Sequence, residues 1–138
     1  MQAQTITQHP SKAKNIALWC LQVLVALAFL AAGAAKLSGQ PMMVEVFDKI
    51  GVGQWFRYVT GGIEITSAVL LLVPGLIPVG AGLLVCTMIG AVIAHLTILG
   101  GTPLPPAVLG VLAAVILWGR FETVKAWLGG PTKAVASE

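Results

Sequence analysis

Apolar residues in this chain come in four long stretches separated by short breaks rich in proline and glycine. The first runs from Ile16 to Ala35 and ends at Lys36. The second covers about 58–73 and stops at Pro74-Gly75. The third covers about 78–99 and stops at Gly100-Gly101, and the fourth runs from Pro105 to Gly119, just before Arg120. A helix that crosses a bilayer needs about 20 apolar residues, with a range of about 17–25. The first and third stretches meet this directly. The second and fourth meet it when Arg57 and Arg120 extend their side chains to the interface. The pattern predicts an all-α fold, a four-helix transmembrane bundle.

The breaks set its topology. Val73-Pro74-Gly75-Leu76-Ile77-Pro78 offers glycine for a positive φ and prolines that cannot continue a helix. Gly100-Gly101-Thr102-Pro103-Leu104-Pro105-Pro106 makes the same break, with proline at a helix start, where its missing N–H costs nothing. Such tight turns make neighbouring spans antiparallel, so an up-down bundle follows. Ala28-Ala32-Ala35 and Gly82-Cys86-Gly90-Ala94 recur at helical spacing and are candidate close-contact faces. Between the first two spans, Pro41 to Ile50 reads as a short interfacial helix ended by Gly51. Its Met43, Val46, Phe47 and Ile50 form one apolar face suited to lying along the outer membrane surface. Phe121, Val124, Trp127 and Leu128 form a similar face after the last span. The expected organisation is one membrane domain over 16–128, a disordered cytoplasmic tail over 1–15 and a second tail over 129–138.

Composition supports a membrane setting. The 138 residues are 57% hydrophobic and 9% charged, against about 25% charged in ordinary soluble domains. Too little polar surface exists to coat a globule in water. The net charge of +3 comes from Lys/Arg scattered at span ends, without a basic patch, so no nucleic-acid partner is expected. Lys12, Lys14, Arg120, Lys125 and Lys133 fall on one side, against Lys36, Lys49 and Arg57 on the other. This bias favours a multi-pass inner-membrane protein with both termini cytoplasmic. A cleaved signal peptide ending near Ala32-Gly33-Ala34 is the competing reading of the first span. Cys20 and Cys86 lie apart without metal-ligand spacing and read as buried small hydrophobes; no metal is expected.

Candidate chemistry rests on the ionisable residues at membrane depth. Such a group costs roughly 2.5–3.5 kcal/mol to place there. Glu64 lies seven residues in from Arg57, about 10 Å deep, and His95 lies five residues before Gly100, about 7 Å from the same face. With Lys36 they form a candidate polar cluster of Lys36, Arg57, Glu64 and His95 in the outer half; the inner half has no ionisable group. The bland alternative makes Glu64 a salt-bridge partner of Lys36 or Arg57 that locks two helices, with His95 satisfied by a backbone carbonyl or Thr97. The functional alternative is a ligand or proton site, a carboxylate and an imidazole relaying a proton or binding a polar head group. Thr60, Thr66, Ser67 and Thr87 are expected to bond within their own helices. No catalytic triad, nucleotide loop or metal motif appears, so no catalytic residue is assigned.

Four segments carry a resemblance: Ala32-Gly33-Ala34-Ala35-Lys36-Leu37 closing span one, Gly61-Gly62-Ile63-Glu64 in span two, Pro74-Gly75 after it, and Ala94-His95 late in span three. In this order, over roughly residues 16–119, the chain resembles the DoxX-like family of small four-span bacterial membrane proteins. The resemblance implies a four-helix membrane bundle and carries Lys36, Glu64 and His95 over as the family's polar positions. It also implies a redox-linked or quinone-associated subunit, a membrane oxidoreductase subunit rather than a complete enzyme, acting with a redox or assembly partner protein. Quinone is then the cofactor to expect, none being covalent; a homo-oligomer is compatible with the same picture. A non-catalytic assembly or chaperone-like protein and a small proton-coupled exporter are the alternatives. The small multidrug transporters put their essential Glu in span one, whereas this chain has it in span two.

Overall fold

The computed structural model describes residues 11–129, and among these the chain is all-α. Helix α1 spans Lys12–Leu37, α2 Pro41–Ile50, α3 Gln54–Leu70, α4 Ile77–Ala94, α5 Leu104–Gly119 and α6 Phe121–Leu128. A π-helical turn, His95–Leu99, continues α4. Local chemistry explains the boundaries. The Ser11 hydroxyl accepts from the Lys14 N–H at 3.2 Å and caps α1, so positions 12–15 are helical where a tail was expected. Pro41 opens α2, and Gly51, at φ 79°, closes it in the left-handed region that favours glycine. Residues 1–10 and 130–138, which hold the rest of the expected tails, lie outside the described residues.

The four long helices form a ring in which α1 lies beside α3, α3 beside α4, and α4 beside α5, with α5 returning more loosely to α1. Val25, Ala26 and Phe29 of α1 meet Ala68 of α3, Leu71 just after it, Ala81 and Leu84 of α4, and Ala113 and Ile116 of α5. This core fills the half of the bundle nearest the α3–α4 turn. The close approaches differ from the expected small-residue faces. A Cβ on Gly33 would sit 2.9 Å from the Gly61 carbonyl oxygen, and one on Gly80 would sit 2.7 Å from that of Ser67. Glycine is therefore required where α1 meets α3 and where α3 meets α4. Ala28, by contrast, is exposed, and Gly82 and Gly90 have open space around them.

Apolar side chains cover the surface as well as filling the core. Leu24, Leu27, Leu96 and Val111 are each at least 60% exposed, and Trp118 is 78% exposed. An apolar surface this extensive marks a site of contact with membrane or protein. Helix α1 and the 23-residue run Ile77–Leu99 are long and apolar enough to cross a membrane. Leu104–Gly119 with Phe121–Leu128, bent by 54°, makes a third crossing if the pair acts as one span. Helix α3, with 17 residues, extends only about 26 Å, against a hydrocarbon core of about 30 Å.

Candidate functional site

Helices α1 and α3 pack so closely at Gly33 and Gly61 that Lys36, one turn beyond Gly33, overlies Glu64, one turn beyond Gly61. Lys36 Nζ donates to Glu64 Oε2 at 2.8 Å and to Oε1 at 3.1 Å. The carboxylate is 1% exposed, so its charge depends on this partner. Of the two cations named from sequence, Lys36 takes the salt bridge. Arg57 does not: its Nε donates to Gln54 Oε1 at 2.6 Å, its Nη1 donates to the Lys36 backbone carbonyl, and its guanidinium lies 4.4 Å from the Tyr58 ring centroid. Rather than extending to the interface it is 4% exposed, clamping the end of α1.

His95 begins the π-helical turn. Its Nδ1 lies 2.9 Å from the Ala91 carbonyl oxygen, and a carbonyl only accepts, so Nδ1 carries the hydrogen. In the neutral ring Nε2 is then an acceptor, and it has no hydrogen-bond partner among the described residues. The turn is closed by Gly100 N–H donating to the His95 carbonyl at 3.0 Å, five residues apart. Single π-helical turns of this kind recur at functional sites because they displace a side chain from regular α-helical register. His95 and Glu64 share no hydrogen bond. They do line one cavity of about 560 Å³, and Lys36 lines it too.

The rest of that cavity is almost wholly apolar. Phe29 and Met88 form its floor against the core, and Phe56, Thr60 and Ile63 of α3 face Thr87, Gly90 and Ala94 of α4 across it. Helix α2 covers the end, bringing Met43, Val46, Phe47 and Ile50 onto the cavity. The apolar face expected to lie along the membrane surface is thus turned inward, with Phe47 4% exposed and edge-on to Phe56 at 5.8 Å. Thr60, Thr87 and Thr97 donate to carbonyls four residues back, at 2.8 Å each. Ser67 departs from that expectation: its hydroxyl is buried without a partner among the described residues. Cys20 and Cys86 are both exposed rather than buried, and Cys86 borders the cavity. Among the described residues no three His, Cys, Asp or Glu side chains come together to hold a metal ion.

A second polar node at the opposite end was not expected from sequence. Arg120 turns into the bundle instead of out to the interface. Its Nε donates to Gln22 Oε1 at 2.8 Å, its Nη1 to Asn15 Oδ1 at 2.8 Å, and its guanidinium lies 5.5 Å from the Trp19 ring centroid. Gln22, fully buried, donates in turn to the Leu71 carbonyl at 2.9 Å, which the end of α3 leaves without a helical partner. The signal was the lone glutamine inside the first apolar run.

No curated protein and no solved structure matches the chain. A family model, the DoxX-like family, matches residues 20–119. That match runs from within α1 to the end of α5 and so takes in Lys36, Glu64, His95 and the helices that gather them, and on this basis the chain belongs to the DoxX-like family.

Proposed function

We propose that the chain is a four-span bacterial inner-membrane protein, both termini cytoplasmic, that binds a quinone-like amphiphile in the cavity and serves as the membrane subunit of a redox partner. The carrying observation is an apolar cavity of about 560 Å³ whose only charged groups among the described residues are Lys36 and Glu64, with His95 also lining it. Largely apolar pockets with a few convergent polar groups are the usual form of small-molecule sites. The Lys36 ammonium has three donors and uses two directions on Glu64, so it can also donate to a carbonyl oxygen of the ligand. His95 Nε2 can accept a hydroxyl proton from the reduced form. Electrons would come from or go to the partner, while His95 and Glu64 are suited to relay the accompanying protons. Helix α3, shorter than the hydrocarbon core, would cross close to the bilayer normal, with local thinning of the bilayer taking up the missing length.

Titrating the purified protein in mild detergent with decylubiquinone tests this reading. Saturable binding is expected, weakened tenfold or more by Glu64→Gln at unchanged helix content. Absence of saturable binding by the natural chain would end the proposal.

A second reading is favoured by one observation. Lys36–Glu64 and Arg57 on the Lys36 carbonyl by themselves fasten α1 to α3. In that case the protein is a non-catalytic assembly factor, and Glu64→Gln lowers thermal stability while leaving any ligand binding unchanged.

A further inference from the structure

Helices α3 and α4 meet tightly at one end and separate at the other. Near their connecting turn Gly80 has no room for a Cβ, which would sit 2.7 Å from the Ser67 carbonyl oxygen and 2.9 Å from Leu70 Cβ. Toward α2 the same two helix faces no longer touch in this way. Thr60 and Ile63 on α3, and Cys86, Thr87 and Gly90 on α4, all line the cavity instead. At one helical turn's spacing these residues continue the sides that pack together lower down. Ile63, Cys86 and Gly90 are also exposed on the outside of the bundle, and a Cβ on Gly90 would meet nothing within 4 Å. The cavity therefore has a lateral slot between α3 and α4, with α2 over its end.

We propose that this slot seats the apolar tail of the ligand and is its route in from the bilayer leaflet on the α2 side. The proposal rests on the amphiphile-binding reading above and adds to it which part of the ligand goes where. The geometry suits an amphiphile with a flat polar head and a flexible tail. The head reaches Lys36, Glu64 and His95, while the tail passes between Ile63 and Gly90 into lipid, where its desolvation costs nothing. Gly90, with no side chain, and the small Cys86 leave this passage open, and among the described residues the rim beside them holds no charged group to obstruct an alkyl chain.

Gly90→Phe fills the slot, and a Cβ at Gly90 would meet nothing within 4 Å, so the substitution starts from open space. Gly82→Phe is the control, since Gly82 is equally open, two turns down the same stripe, and does not border the cavity. Each variant is purified in full length in mild detergent and titrated with decylubiquinone and with the same head group lacking its decyl tail. The expected result is a tenfold or greater rise in the Kd of decylubiquinone for Gly90→Phe alone, with the tail-less head binding all three proteins equally. If the natural chain binds decylubiquinone and Gly90→Phe binds it equally well, the slot is overturned and the ligand reading stands. Equal weakening of both head groups by Gly90→Phe overturns it too, since the ring would then be acting on the head. If the natural chain binds neither probe, both readings fall together.

Discussion

Lys36 and Glu64, 28 positions apart, meet across the α1–α3 interface with Nζ 2.8 Å from one carboxylate oxygen and 3.1 Å from the other. The two partners differ in their access to solvent: the Lys36 side chain is 14% exposed, whereas that of Glu64 is 2% exposed. Removing one partner therefore has a different consequence from removing the other. Lys36→Met strands a buried carboxylate and should destabilise the protein by about 3–5 kcal/mol, the usual cost of breaking a buried pair. Glu64→Gln leaves a lysine that can still reach the cavity and should cost less. The double variant Lys36→Met with Glu64→Leu should regain most of the loss, because an apolar pair of similar size needs no charge compensation. Thermal unfolding in detergent reads all three; equal losses in the two single variants would contradict the ordering.

Adjacent glycines on α3 offer a sharper comparison. A Cβ on Gly61 would lie 3.0 Å from Lys36 Cβ and 3.1 Å from the Gly33 carbonyl, whereas one on Gly62 meets nothing within 4 Å. Gly61→Val should overpack the interface and cost about 1–3 kcal/mol. Gly62→Ala should be neutral or stabilising by about 0.5–1 kcal/mol through its gain in helix propensity. Comparable melting temperatures for the two variants would show that α1 and α3 are not so close.

At the opposite end, Gln22→Leu removes the acceptor of Arg120 Nε and the donor to the Leu71 carbonyl at once. A loss of about 1–3 kcal/mol is expected, the cost of leaving buried polar groups unpaired. Arg120→Met in the Gln22→Leu background should add less than it does alone, since both report one network. Strict additivity in a double-mutant cycle would show the two residues to be independent.

Glu64 and His95 border one cavity and share no hydrogen bond, so a ligand that meets both would couple them. Once Glu64→Gln has been made, His95→Ala should cost little further affinity for decylubiquinone. Losses that add within about 0.3–0.5 kcal/mol would make them separate sites.

Topology is open to direct measurement with reporters. A cytoplasm-active reporter fused after Glu138 and an export-active one placed near Gly53 should both be active. The reverse pattern would overturn the proposed orientation, and both sites reporting on the same side would overturn the four-span arrangement.

Helix locations and their breaks were legible in the sequence to within a few residues. Pro41 and Gly51 bound α2, and Gly75 and Pro78 bound the α3–α4 turn, through backbone constraints that act within a few residues. Apolar stretches of sufficient length likewise announced a membrane protein, since hydropathy is a property of composition. Which lysine or arginine Glu64 would choose was not legible. Lys36 and Arg57 stand at similar depth, and only the Gly33–Gly61 approach brings Lys36 over the carboxylate while Arg57 is drawn to a carbonyl. Tertiary structure alone also turned the apolar face of α2 inward, where Phe47 packs edge-on against Phe56 of α3 and the face closes the end of the cavity. The same holds for the small-residue stripe of α4, read from spacing as a contact face and found to border empty space. Periodicity reports which residues share a side of a helix; what that side meets depends on where the other helices lie, and that is fixed by contacts far apart in the chain.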